Sequence, residues 1–63
     1  MPEKYLGKAE AYRIGAALRA ENPSIMLQVI KVRGHYELIS FDSFTYERRQ
    51  YDTATHYVSK IVK

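Results

Sequence analysis

The chain predicts a small two-layer α+β domain in the order α-β-β-β-α, with α-β-β-α as the alternative if its third strand does not form. Three observations carry that expectation. Residues 8–22, KAEAYRIGAALRAEN, are rich in helix formers and run into Asn22-Pro23, which stops a helix. Ile25 to Phe41, IMLQVIKVRGHYELISF, is the longest β-branched and aromatic run and holds a tight-turn glycine near its middle. From Asp52 onward, Ala54, Tyr57, Val58, Ile61 and Val62 recur at helical spacing behind an N-cap residue, Asp52 or Thr53.

In chain order, Pro2-Glu3 suits a first helical turn, but Gly7 interrupts it, so the first helix is expected from about Lys8. Ala11, Ile14, Ala17, Leu18 and Glu21 form its narrow inward stripe, which Glu21 breaks. Gly15, Ala16 and Ala20 are small enough to let the helix lie close to a sheet. Lys8, Glu10, Arg13 and Arg19 are then its solvated side.

The hairpin is expected to reverse at Gly34-His35 in a type II′ turn, whose first central position needs φ > 0. That register sets Arg33 against Tyr36, Lys31 against Leu38 and Ile30 against Ile39. One side of the ribbon holds Met26, Gln28, Ile30, Val32, Glu37, Ile39 and Phe41 and reads as the core face. The other holds Leu27, Val29, Lys31, Arg33, Tyr36, Leu38 and Ser40 and reads as a working surface.

Asp42-Ser43 signals a turn. Phe44 to Tyr51, FTYERRQY, reads as a third strand with Phe44, Tyr46, Arg48 and Gln50 on one face, or as the start of one long helix through Val62. Thr45, Tyr46 and Tyr51 favour the strand, and Glu47 spoils the helical stripe. Residues 52–62 then form the last helix, with Lys60 and Lys63 in its final turn.

Sixty-three residues make one domain, 1–63, and a chain this short buries only about 60% of its unfolded surface. It has no cysteine, so neither disulfide nor thiolate metal site adds stability, and a homodimer is expected. Zero cysteine, a polar Met-initiated start and no run near the length of a membrane span fit a complete small cytoplasmic protein without membrane contact. The net charge of +3 permits attraction to nucleic acid without demanding it. Six tyrosines against two phenylalanines suit stacking, interfaces and half-buried packing alike.

Lys31, Arg33, Tyr36, Arg48 and Arg49 are the candidate contacts, because cations neutralise phosphates and an interleaved tyrosine offers a stacking plane. Only one of Arg48 and Arg49 can join the ribbon's basic face, since alternate strand residues point opposite ways. His35, at the hairpin tip, serves as a turn residue, a phosphate contact or a general base. Neither His35 nor His56 stands at metal-ligand spacing from the acidic residues, and no nucleophile motif, phosphate loop or cofactor signature is present. The expected function is therefore non-enzymatic: nucleic-acid binding, to DNA or RNA, through the basic-aromatic face in an accessory or regulatory role. The alternative is a protein-interaction module or an inhibitor of a larger enzyme, anchored by Leu27, Val29, Leu38 and Tyr36.

Arg33-Gly34-His35 at the start of the second strand, in an α-β-β-β-α order, resembles the Gly-Ser-His of HicA-type toxins. Those proteins are similar in fold to double-stranded-RNA-binding domains and cleave RNA with the strand-two histidine. The resemblance implies His35 as a catalytic base. It does not extend to the serine before the histidine or to the family's proline in the third strand. A standard double-stranded-RNA-binding domain would also carry a basic cluster at the start of the last helix, where this chain has DTATHY.

Overall fold

The computed structural model describes residues 4–61, and the side chains of residues 4–58. Its elements are α1 (Lys8–Glu21), β1 (Ile25–Val32), β2 (His35–Asp42), β3 (Arg48–Tyr51) and β4 (Tyr57–Ile61). The four strands form one antiparallel sheet in sequence order, β1-β2-β3-β4. The α+β class and the hairpin at its heart are as the sequence predicts, and so is the third strand. The Pro2-Glu3 helix start and Val62 and Lys63 of the expected last helix lie outside the described residues.

Gly7 is extended, at φ −88° and ψ 170°, and its carbonyl accepts the Ala11 N–H at 2.9 Å, so the helix begins where the glycine releases it. At the other end the Asn22 N–H returns to the Leu18 carbonyl, and Pro23 prevents a further turn. The Asn22 amide donates to Asp42 Oδ2 at 2.6 Å and its Oδ1 accepts from the Ser24 hydroxyl at 2.6 Å. The end of α1 is thus tied to the end of β2.

The hairpin turns one residue earlier than expected. Its loop is Arg33-Gly34, with φ of +47° and +87°, so both central residues are left-handed as in a type I′ turn. That turn follows the natural twist of the strands, a gain that covers the cost of a left-handed arginine. Lys31 consequently faces Tyr36 rather than Leu38, and Val32 faces His35. A shift of two positions preserves the alternation, so both residue sets predicted to share a side do share one.

The predicted roles of the two sides are reversed. Leu38 is fully buried, Ser40 is buried, and Leu27 and Val29 pack against the core, all on the side expected to be the working surface. The helix covers that side. Its Ala11 and Gly15 are buried, Ile14 and Leu18 are half-buried, and Ala17 and Glu21 of the expected stripe are exposed. A Cβ on Gly15 would stand 3.2 Å from a Leu27 methyl and 3.5 Å from a Leu38 methyl, so the helix and sheet meet at that glycine. The core is completed from outside the hairpin. Leu6 lies beside β2, its carbonyl accepting the Tyr36 N–H at 3.0 Å and its N–H donating to the Asp52 carbonyl at 3.1 Å. Tyr51 comes opposite Leu38 in the β2–β3 ladder.

β3 is shorter than the predicted run. Asp42 Oδ1 accepts the N–H groups of Phe44 and Thr45 at 2.8 and 3.2 Å, and Tyr46 takes φ +61°, so residues 43–46 turn, closed by the Asp42 N–H donating to the Glu47 carbonyl at 2.9 Å. The expected last helix is a strand. Thr53 does cap a backbone N–H, but in a turn: its Oγ1 accepts from the His56 N–H at 3.0 Å. The Asp52 N–H donates to the His56 carbonyl, and the Asp52 carboxylate lies 2.8 Å from His56 Nδ1. The same side-chain acceptors serve helix starts and tight turns, and here the turn wins because Tyr57 onward finds a free sheet edge. β4 pairs with β3 after an irregularity at Gln50/Tyr51.

Gly15→Val is expected to lower stability by about 1–3 kcal/mol, since the added methyls must displace Leu27 and Leu38. Urea unfolding followed by circular dichroism measures it; an unchanged midpoint would place the helix elsewhere.

Candidate interaction surface

With α1 on one side, the other side of the sheet is open, and its residues form cross-strand rows. Met26, Phe41 and Arg48 stand side by side in the ladders; Gln28, Ile39 and Gln50 form the next row, then Ile30 with Glu37, then Val32 with His35. Met26 is 61% exposed. A shallow depression of about 450 Å³ runs over this end of the face, lined by Met26, Gln28, Ile39, Phe41 and Arg48.

A hydrogen-bonded chain crosses these rows diagonally. Arg48 donates to Gln50 Oε1 at 3.3 Å, and the Gln50 amide donates to Glu37 Oε1 at 2.6 Å. Glu37 Oε2 lies 3.1 Å from His35 Nε2. An ionised carboxylate only accepts, so Nε2 is the donor when Glu37 is charged. The His35 ring then stacks on Tyr5, with centroids 4.2 Å apart and planes 13° from parallel. Glu37, in the middle, is 7% exposed and has a partner on each oxygen, which is what a buried carboxylate requires.

At the Met26 end the loop after β2 adds aromatic surface. Tyr46 meets Phe41 edge-on at 6.1 Å, and Phe44 is 82% exposed. Asp42 holds this loop. The N–H groups of Phe44 and then Thr45, with smaller help from Asn22 and Ser24, stabilise its charged form and lower its pKa below 3.8.

The sequence-predicted contacts do not assemble on one surface. Lys31 and Arg33 are exposed at the hairpin tip, and Tyr36, paired with Lys31, is half-buried beside Leu6. Arg48 is on the open side, opposite in facing to Lys31. Arg49 is on the helix side, 2.8 Å from Glu47 and 5.2 Å from the centre of the Tyr57 ring. A hydrogen bond with Tyr51 and the charge of Glu47 raise its pKa further above the usual arginine value, although its Nε is buried without a partner. His35 is no bare turn residue: it opens β2 and is held between Tyr5 and Glu37. Among the described residues, no group of three or more His, Asp or Glu side chains converges as a metal site would require.

Sequence reasoning missed Tyr5, Glu37 and Gln50. His35 and Glu37 are two apart in a strand and therefore share a face, a signal present in the sequence. Gln50 depends on the β2–β3 register, and Tyr5 on where the lead-in segment docks; neither has a local signature. The HicA-like order needs a final helix, and the described residues end in β4 instead. No protein-family model, curated protein or solved structure matches the chain.

The lowered Asp42 pKa makes a signed prediction. A group whose pKa falls on folding contributes stability that is present above its unfolded value, near 3.8, and is lost as pH drops through the folded value. Urea midpoints taken from pH 5 downward should fall below pH 4 in the parent, and that fall should be smaller in Asp42→Asn.

Proposed function

We propose that the chain is a non-enzymatic protein-interaction module of the cytoplasm whose partner docks on the open side of the sheet. The observation that carries this reading is an apolar sheet face that α1 does not cover, whose Glu37 and Arg48 are both already hydrogen-bonded through Gln50. Met26, Ile30, Ile39 and Phe41 supply apolar area, and Arg48, Gln50, Glu37 and His35 supply a polar strip held in place before a partner arrives. Interfaces combine such an apolar centre with fixed polar groups and aromatic residues, and Phe44, Tyr46 and Tyr5 provide the aromatic margin. A pre-formed hydrogen-bonded strip costs little conformational entropy on binding. Blocking a larger enzyme is one form this role takes. No helix among the described residues is long and apolar enough to cross a membrane, and a chain without cysteine fits a reducing compartment.

Nucleic-acid binding is the second reading, and a specific observation favours it. Lys31 and Arg33 stay exposed at the hairpin tip of a chain with net charge +3. It ranks second because Arg48 and Arg49 are committed to Gln50 and Glu47, and an acidic residue lies at the middle of the open face.

The two readings separate in one experiment. Lysate is treated with nuclease or left untreated, passed over immobilised protein and eluted with salt, using the parent and Met26→Glu. Met26 is exposed, so its replacement leaves the fold intact. A protein retained by the parent after nuclease and lost from Met26→Glu supports docking on the open face. Retention that nuclease abolishes, or that Met26→Glu leaves unaltered, overturns it.

A further inference from the structure

β1 is the sheet's outer strand, paired on one side only, with β2. It runs for eight residues without proline or an irregularity in its ladder, and Lys31 is its one charged residue. Proteins protect such edges with charge, proline, bulges or a covering element, and this edge has almost none of these. The opposite edge follows the irregularity at Gln50/Tyr51.

Depressions flank the β1 edge on both sides of the sheet. On the open side lies the one lined by Met26 and Gln28. On the helix side, a depression of about 530 Å³ is lined by Leu27 and by Tyr12, Ala16, Arg19 and Ala20 of α1. Tyr12 is 58% exposed, so no described residue covers this flank of the helix. Alternate side chains of an added strand point to opposite sides of the sheet, which is where the two depressions lie.

We propose that a second copy of this chain occupies the edge, its β1 pairing antiparallel with the first to continue the sheet across a two-fold axis near Gln28. Charge selects this arrangement. Lys31 is near the end of β1, so antiparallel pairing sends the two lysines to opposite ends and sets each beside the other copy's Ile25, whereas parallel pairing would bring them together. Shape supports it on the helix side. Ala16 lies midway between Tyr12 and Ala20, so a two-fold through Ala16 sets the large Tyr12 of one copy over the small Ala20 of the other. Leu27, beside Gln28, lines the same depression as Ala16, so strand and helix place the axis in the same region. Isologous contacts need this self-complementarity, and a chain with four buried apolar side chains among its described residues has reason to gain a larger core. The dimer meets the open face only at its Met26–Gln28 border, and Ile39, Phe41 and Arg48 on β2 and β3 stay free for the docking proposed above.

Sedimentation equilibrium of the full chain over a micromolar concentration series tests it, together with amide exchange. The parent should sediment as a dimer, and alternate β1 amides should gain protection as concentration rises. Ala16→Glu sets two carboxylates against each other at the axis and should weaken the dimer by at least about a hundredfold, since opposed like charges cost several kcal/mol. Ala17→Glu, exposed on the same helix but roughly 100° around its axis from Ala16 and outside this depression, should leave the mass unaltered. If Ala16→Glu fails to fold, Tyr12→Glu takes its place. A parent that stays monomeric throughout overturns the proposal. So does a dimer that survives the substitution, or one that protects amides outside β1.

Discussion

The close approach of α1 to the sheet at Gly15 is the constraint on which the rest of the architecture depends. One helix can cover one side of a four-stranded sheet, and a side chain at Gly15 would have to share space with Leu27 and Leu38. Helix and sheet can meet closely there because Ala11 and Gly15 are small and Ser40 adds little bulk on the sheet side. The side with more apolar residues, bearing Met26, Ile30, Val32, Ile39 and Phe41, is left open. Coverage follows shape here and not apolar count, because dispersion contacts need surfaces that fit.

This explains which parts of the fold were legible in the sequence. The helix limits were, because Gly7 and Asn22-Pro23 act locally on the backbone. The hairpin and its two alternating residue sets were also legible, since alternation survives a turn misplaced by one residue. The choice of buried side was not, because Leu6 and Tyr51 complete it and come from segments distant in sequence. The last strand was hidden for a different reason. Tyr57, Val58, Ile61 and Val62 satisfy helical spacing, and Thr53 caps a turn with the same hydroxyl that would cap a helix. Only the free edge of β3 resolves that ambiguity, and a free edge is not a local property.

The candidate surface was legible in smaller part. His35 drew attention as a histidine in a turn, yet its environment comes from Glu37, Gln50 and Tyr5. Each of these reaches it by a different route: strand alternation, ladder register and docking of the N-terminal segment. The basic cluster, by contrast, was a composition signal. Lys31 and Arg33 share the hairpin tip, whereas Arg48 and Arg49 face opposite sides of β3 and spend their hydrogen bonds on neighbours. Exposed cations are easily counted in a sequence, but their availability depends on partners that topology supplies.

Leu6 has a consequence for how the chain assembles. Every strand is adjacent to its sequence neighbour, so the sheet can zip through short loop closures of small entropic cost. Leu6 alone bridges from near the N-terminus to both Tyr36 and Asp52, the most widely separated backbone bond described. Its docking therefore acts as a latch that can close only after β2 and β3 are in place. The segment ahead of α1 thus completes the core by joining two places that only the assembled sheet brings together.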